Sequence, residues 1–334
     1  MKPLASETDD PAADAGARAL AQAVLSVVVP LYNEEQVLPE LLRRLQQSVL
    51  TLPVREVEIL LVSDGSVDGT NAIVRRVVAG DNRFQGILFA RNFGHQAAVS
   101  IGIERSRGDY VAIIDGDLQD PPEEIGRLLE IVGREADVAY GVRRRRKEHW
   151  AKRMAYASFY RILGRIADIE IPLDAGDFCC MRRCVVDAML QLPERNRFVR
   201  GLRAWVGFRQ RAVPYARESR SAGQPKYTLR KLLRLARDGF FGFSTVPVAM
   251  MQVLGFVVSM MACLIAAGYF VWFFLDRDSF PSGFATVTVS IWLLGGIQLL
   301  FLGLIGEYLV RTFDESRARP VAIVAEHLRH PQVS

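Results

Sequence analysis

Residues 109–123 read DYVAIIDGDLQDPPE, an apolar run that breaks into aspartates at positions 115, 117 and 120 and a glutamate at 123. The apolar half has the unbroken character of a strand buried on both faces, the mark of a parallel sheet covered by helices. Asp115 and Asp117 flank Gly116 directly after it. Side chains two apart in an extended segment share a face, and Gln119 continues that period. Two carboxylates in one cleft repel unless a cation lies beside them, and hard oxygen donors suit Mg2+ or Mn2+. Gly116 permits close backbone approach. In isolation a solvated acidic turn explains the same residues, with Asp120 as N-cap of the helix that begins near Pro121. The company this turn keeps favours the cation.

Working outward, strand and helix alternate. VLSVVVPLYN, VEILLVSDGSVDGT, QGILFA and ADVAYGVR read as strands, the first two running on into loops. VLPELLRRLQQSVL, AIVRRVVAG, a segment from Gln96 to Arg107 and PEEIGRLLEIVG read as helices. This order predicts an α/β domain with a mainly parallel sheet, in which ligands bind beyond the carboxyl ends of the strands. The polar stretches YNEE, SDGS, RNFGH and DGDLQD all fall at such ends and are expected to line one crevice.

The 334 residues carry a formal net charge of +5, and half are hydrophobic, unevenly spread. No Asp, Glu, Lys or Arg occurs from Gly239 to Leu275 or from Ser279 to Gly306. Each run exceeds the ~20 apolar residues of a membrane-spanning helix, so a two-helix transmembrane hairpin is expected over 245–310, with Ser244 or Thr245 as cap and Pro247 in its first turn. Lys226, Arg230, Lys231, Arg234 and Arg237 precede the pair, and Arg311, Arg317 and Arg319 follow it, with only Arg277 between. That asymmetry places both flanks in the cytoplasm and the chain as a multi-pass membrane protein. Residues 1–23 read as a disordered tail without signal-peptide character, 24–228 as the catalytic-type domain, 229–244 as an interfacial helix, and 311–334 as a cytoplasmic tail. His327 and His330 receive no role there.

Four cysteines in a domain so placed imply reduced thiols, and Cys179, Cys180 and Cys184 lack paired zinc spacing. The RRRRK run from Arg143 to Lys147 fits attraction to anionic lipid rather than nucleic acid. HWAKRMAYASFYRILGRIAD and LRKLLRLARDGFFGF have the mixed aromatic and basic character of amphipathic helices lying on a bilayer, or of ordinary core-facing helices.

Together VVVPLYNEE, VSDGSVDGT, ARNFGHQAA and DGDLQDPPE resemble glycosyltransferase family 2, with its GT-A (Rossmann-like) fold. DAGDFCCMRR, RFVRGLRAWVGF, SRSAGQPKYTLRKLL and GEYLVRTFDESRARP narrow the likeness to polyprenyl-phosphate glycosyltransferases of the dolichol-phosphate mannose synthase and bactoprenol glucosyltransferase kind. The resemblance, closest to the bacterial branch, implies inverting transfer of a sugar from a nucleotide sugar, UDP-glucose or a related UDP-hexose, to undecaprenyl phosphate at the bacterial inner membrane, giving a lipid-linked donor for envelope glycans. It implies that Pro30, Tyr32, Asn33, Glu34, Asp64 and Asp115 hold the nucleotide, and that Asp117 and Gln119 hold Mg2+ or Mn2+. Ser63 departs from the second aspartate many members carry at that place. It further implies that Arg200, Arg220 and Lys226 lie near the phosphates, with Asp117, Asp177 and Arg200 as the catalytic set and a homo-oligomer as one possible assembly.

A phosphate acceptor is mostly dianionic at neutral pH, its second pKa being ~6. It therefore needs cationic positioning rather than a strong base, so Asp177 is expected either to orient an arginine or to take a proton. Two rivals remain. A hydroxyl-directed polysaccharide synthase would carry Q-x-x-R-W, which is absent, Trp205 lying in RAWVGF instead. A non-catalytic nucleotide-sugar binder would lack Asp117 or Gln119, and both are present.

Overall fold

The computed structural model describes residues 18–143, 175–194, 197–216 and 283–330, with isolated positions between 253 and 275. In chain order the elements are β1 (Val24–Leu31), α1 (Leu38–Ser48), β2 (Glu56–Ser63), α2 (Thr70–Gly80), β3 (Phe84–Phe89), α3 (His95–Arg105), β4 (Tyr110–Ile113), α4 (Glu124–Arg134), β5 (Val138–Arg143), β6 (Ala175–Arg182), α5 (Arg183–Leu190), α6 (Val199–Trp205), β7 (Gln210–Tyr215), α7 (Phe284–Ser316) and β8 (Val324–Leu328). The strands form one eight-stranded sheet in the order β7-β5-β6-β4-β1-β2-β3-β8.

The centre of this sheet is parallel: β1 pairs with β2 and β4, and β2 with β3. Every residue of β1 is buried, as expected where helices cover both faces. α1 presents Leu38, Leu41, Leu42 and Leu45 as one apolar stripe, and α4 presents Ile125, Leu128, Leu129 and Val132. Burying each such side chain stabilises the fold by about 2 kcal/mol. α3 packs closest, because a Cβ on Gly102 would stand 2.2 Å from Val28 Cγ1.

The sheet is mixed rather than simply parallel. β6 runs antiparallel between β4 and β5, and β8 runs antiparallel along β3. β8 lies in what the sequence suggested was a polar tail. It gains backbone pairing, the Arg75–Glu326 ion pair at 2.6 Å and a contact of 3.3 Å between His327 Nε2 and Gln85 Oε1. Ending the chain at Pro320 should expose the β3 edge and cost about 2 kcal/mol, a melting-temperature loss of roughly 5 °C; an unchanged melt by scanning fluorimetry would show that β8 adds nothing. The N-terminal side also departs from expectation. Residues 18–21 are helical, and Leu20 and Ala23 join the hydrophobic core.

Two further expectations are corrected. Among the described residues no helix is long and apolar enough to cross a membrane, which overturns the two-helix transmembrane hairpin and the multi-pass placement in the bacterial inner membrane. The first uncharged run lies largely outside the described residues. The second belongs to α7, a single 33-residue helix that continues through Glu307, Arg311, Asp314 and Glu315, so no separate apolar element is delimited there. β1 to β7 and β8 belong to one compact unit and α7 to another. The RRRRK run beyond Arg143, both amphipathic stretches, Arg220 and Lys226 lie outside the described residues.

Candidate active site

Four loops leave the carboxyl ends of the parallel strands, and hydrogen bonds knit them together. After β1, Asn33 adopts a left-handed backbone with φ of 53°. Its N–H donates to Ser66 Oγ at 3.1 Å, and its side-chain oxygen accepts from Val67 N–H at 3.0 Å. The Glu34 N–H donates to Thr70 Oγ1, and Glu35 Oε2 accepts from Gly69 N–H. Ser63 donates to Ser66 Oγ at 2.9 Å, so a small hydroxyl at this position supports the turn that holds Asn33. Pro30 is buried and Tyr32 is exposed beside them.

Asp64 fastens the second loop to the third. Its carboxylate accepts from Phe93 N–H at 2.6 Å and from Gly94 N–H at 3.0 Å. Burial pushes its pKa up, and these N–H groups oppose that. The arrangement assigns Asp64 an organising part in the loops. Gly65 makes the approach possible: its φ is 63°, and a Cβ there would stand 2.2 Å from the Arg91 carbonyl carbon. Gly65→Ala should therefore cost about 3 kcal/mol through backbone strain and overpacking, read as a lower melting temperature.

The stretch that opened the reading is a turn. β4 ends at Ile113, and Gly116 and Asp117 are turn residues. Leu118 is buried with φ of 58°, so the extended period does not carry from Asp115 to Gln119. Asp117 Oδ1 accepts from Gln119 N–H at 3.2 Å. Gly116 does serve close approach, since its Cβ would meet the Pro30 carbonyl oxygen at 2.8 Å. Asp120 is not the N-cap of α4, whose cap position is Glu123; it is buried and accepts a hydrogen bond from the Tyr215 hydroxyl.

Asp115 is turned inward, toward a cluster the sequence did not disclose. Its Oδ1 lies 3.6 Å from His95 Nε2. The same nitrogen is 3.1 Å from Asp177 Oδ2, on β6. Gln96 donates to that oxygen at 3.0 Å, and its own side-chain oxygen accepts from Val199 N–H at 2.9 Å, tying α3 to the start of α6. Arg200 on α6 directs Nε and Nη2 at Asp177 Oδ1, each at 3.3 Å. One turn on, Arg203 is buried, with its guanidinium carbon 4.9 Å from the centre of the Tyr140 ring. Its Nε and Nη2 make no hydrogen bond.

These neighbours set the charges. Burial opposes ionisation of Asp177, but the Arg200 charge, the His95 hydrogen bond and charge and the Arg203 charge together hold it well below the usual carboxylate range. Burial works against a charged His95, yet Asp177 and Asp115 push its pKa up to about 9. Asp115, raised by burial and by neighbouring carboxylates, sits at about 6. Because His95 is raised above its ordinary value, its contribution to stability is complete below pH ~6.5 and is lost as pH rises through about 9. Ring NMR should give a midpoint near pH 9, against the ordinary value if the carboxylates exert no pull.

The residues present fit a divalent cation. Asp115 Oδ1 is buried with no hydrogen-bond partner, and Asp117 and Gln119 add hard oxygens on the same turn, the donor chemistry Mg2+ and Mn2+ take when phosphate oxygens and waters complete the set. Among the described residues, no group of three or more His, Cys, Asp or Glu side chains could hold a metal alone. Cys179 and Cys180 are buried free thiols and Cys184 an exposed one.

The sequence set Asp64, Asp115, Asp117, Gln119 and the RNFGH loop at strand ends, and the family resemblance added Asp177 and Arg200; neither gave His95 or Gln96 a part in the cluster. The available signal was a titratable side chain opening a helix directly after the RNFG loop. A strand-end loop, an acidic turn and a carboxylate–arginine pair gather at one end of the α/β sheet, and comparison with known proteins shows the family of the chain. Residues 26–190 match Glycosyl transferase family 2. The chain is 43% identical over 305 residues to the uncharacterized glycosyltransferase YkcC of Bacillus subtilis, covering 90% of this chain and 92% of that one. It is 36% identical over 304 residues to the prophage bactoprenol glucosyl transferase homolog of Escherichia coli, covering 90% of this chain and 98% of that one. A bactoprenol glucosyl transferase of Shigella phage SfX is 36% identical over 300 residues, covering 89% of this chain and 97% of its own. The chain belongs to glycosyltransferase family 2 and is a glycosyltransferase with a GT-A-like α/β fold.

Proposed function

We propose that this chain transfers a hexose, with UDP-glucose the leading donor, to the phosphate of a polyprenyl phosphate, inverting the anomeric carbon. The observation that carries the reading is the Arg200–Asp177–His95 cluster at the mouth of the acidic turn, in a chain similar over most of its length to bactoprenol glucosyl transferases. In this reading the loops of Pro30, Tyr32, Asn33, Glu34 and Asp64, with Asp115, receive the nucleotide. Asp117 and Gln119 would hold Mg2+ or Mn2+, which when bound neutralises diphosphate charge and stabilises the leaving group.

The acceptor phosphate is already a nucleophile, so the protein's task is to bring two anions together in line. Arg200, aimed by Asp177, supplies a fixed positive group; Arg220 and Lys226 are assigned to the same phosphates. Asp177 takes no proton. The test is a screen of radiolabelled nucleotide sugars with the purified full-length chain and detergent-dispersed undecaprenyl phosphate. The expected product is a lipid phosphate hexose, β-linked from an α-linked donor by NMR. Equal use of free polyprenol, or a retained α linkage, overturns the reading.

A further inference from the structure

Gln96 is the second residue of α3. It is half-buried, and its side-chain amide reaches two other elements. Its Nε2 donates to Asp177 Oδ2 on β6 at 3.0 Å, and its Oε1 accepts from the Val199 N–H at the head of α6 at 2.9 Å. A backbone N–H can only donate, so the amide oxygen must face Val199 and the NH2 group must face the carboxylate. One orientation of the amide serves both.

The bond to Val199 meets a need of α6. The first N–H groups of a helix have no partner within it, and Phe198, in the cap position, makes no side-chain hydrogen bond to them. Val199 is buried, where an unpaired N–H is costly. Gln96 thus caps α6 from another helix. Arg200 follows directly, and its Nε and Nη2 turn back to Asp177 Oδ1, each at 3.3 Å. Gln96 therefore holds one oxygen of Asp177 while Arg200 holds the other. It also holds the peptide unit from which the Arg200 side chain starts. The root and the tip of that side chain are both referred to one neutral amide.

In the transferase reading, on which this inference rests, Arg200 is the fixed positive group for the acceptor phosphate. We propose that Gln96 is a positioning residue that sets Arg200 for that phosphate, by anchoring both the start of α6 and the carboxylate that aims the guanidinium. A misplacement of about 1 Å between reacting groups costs on the order of 100-fold in rate, so a group that touches neither substrate has this much leverage.

Two variants remove the hold. Gln96→Met keeps the length and loses both hydrogen bonds; Gln96→Glu keeps the acceptor for Val199 and sets a second carboxyl group against Asp177. With UDP-glucose and undecaprenyl phosphate, each should lower kcat ~10- to 100-fold and raise KM for the lipid phosphate several-fold, with KM for UDP-glucose within ~2-fold of the parent. The same change is then made in an Arg200→Ala chain. A residue that acts through Arg200 has nothing left to position there, so Gln96→Met should cost less than ~2-fold further. A loss as large in that background as in the parent overturns the proposal, and so do parent-like kinetics or a KM rise confined to UDP-glucose. Should Gln96→Met not fold, Gln96→Glu carries the same comparisons. A second measurement needs no substrate. Side-chain 15N NMR of the full-length chain follows the Arg200 Nε–H, assigned by its absence in Arg200→Lys. Gln96→Met should shift or broaden that signal, and an unchanged signal overturns the proposal. If the parent chain transfers nothing to polyprenyl phosphate, the functional reading fails, and the NMR signal still decides whether Gln96 holds Arg200 in place.

Discussion

Asp117→Ala should slow transfer at least ~100-fold, the loss expected when a group that stabilises developing charge is removed from a site arranged for it. The fold should be unaffected. Asp117 is only half-buried in its turn, and the turn is held independently by the packing of Gly116 against Pro30 and by the buried Leu118. Chelation by EDTA should remove turnover, and Mg2+ or Mn2+ should restore it in the parent chain. Asp117→Asn keeps one neutral oxygen donor and should fall between parent and alanine. Full activity in chelator, or an alanine variant as fast as the parent, would defeat the assignment of a divalent cation to this turn.

Asp177→Ala has the second large effect, and it reaches stability as well as rate. The Asp177 side chain is 8% exposed and accepts from His95, Gln96 and Arg200. Without it the site holds His95, Arg200 and the buried Arg203 with one carboxylate fewer to answer them. Breaking a buried pair from one side costs 3–5 kcal/mol in general; partial exposure of Arg200 and His95 places this case near the lower end, about 3 kcal/mol, or roughly 8 °C in melting temperature. Transfer should fall at least ~100-fold, because Arg200 loses its aim. Asp177 is depressed, so its stabilising contribution is complete above the unfolded carboxylate value near pH 4 and is lost only as pH falls toward its folded value. An Asp177→Ala chain that melts with the parent would show that the cluster is not mutually supporting.

The parallel half of the sheet was legible because its strands are mostly apolar and its helices carry a stripe at helical spacing, signals that are local in the chain. The strand ends followed, and with them the loops that meet at the site. The antiparallel strands were not legible. DAGDFCCMRR carries Asp177 and two arginines, and VAEHL in β8 has no apolar run at all; both are strands because of what they pair with, not because of their own composition. The acidic turn shows the same limit in miniature. The spacing of Asp115, Asp117 and Gln119 suggested an extended segment with one shared face, whereas the chain turns there and Leu118 takes a left-handed backbone. His95 lay in a loop expected at the crevice, but its partners were hidden for a related reason: they stand 20 and 82 positions away in sequence, and only the sheet order β6-β4-β1 brings them together.

β8 has a consequence for how the protein comes off the ribosome. Gly86 pairs with Leu328, so the outermost register of the sheet waits for residues made at the far end of the chain, after α7. Until then β3 is an open edge, able to template pairing with any neighbouring nascent chain. Such long-range closure is slow in principle, and an incomplete sheet is prone to aggregate while it waits. The enzyme should therefore depend on holding chaperones during synthesis more than its short parallel core suggests, and a chain stalled before Pro320 should be recovered bound to them.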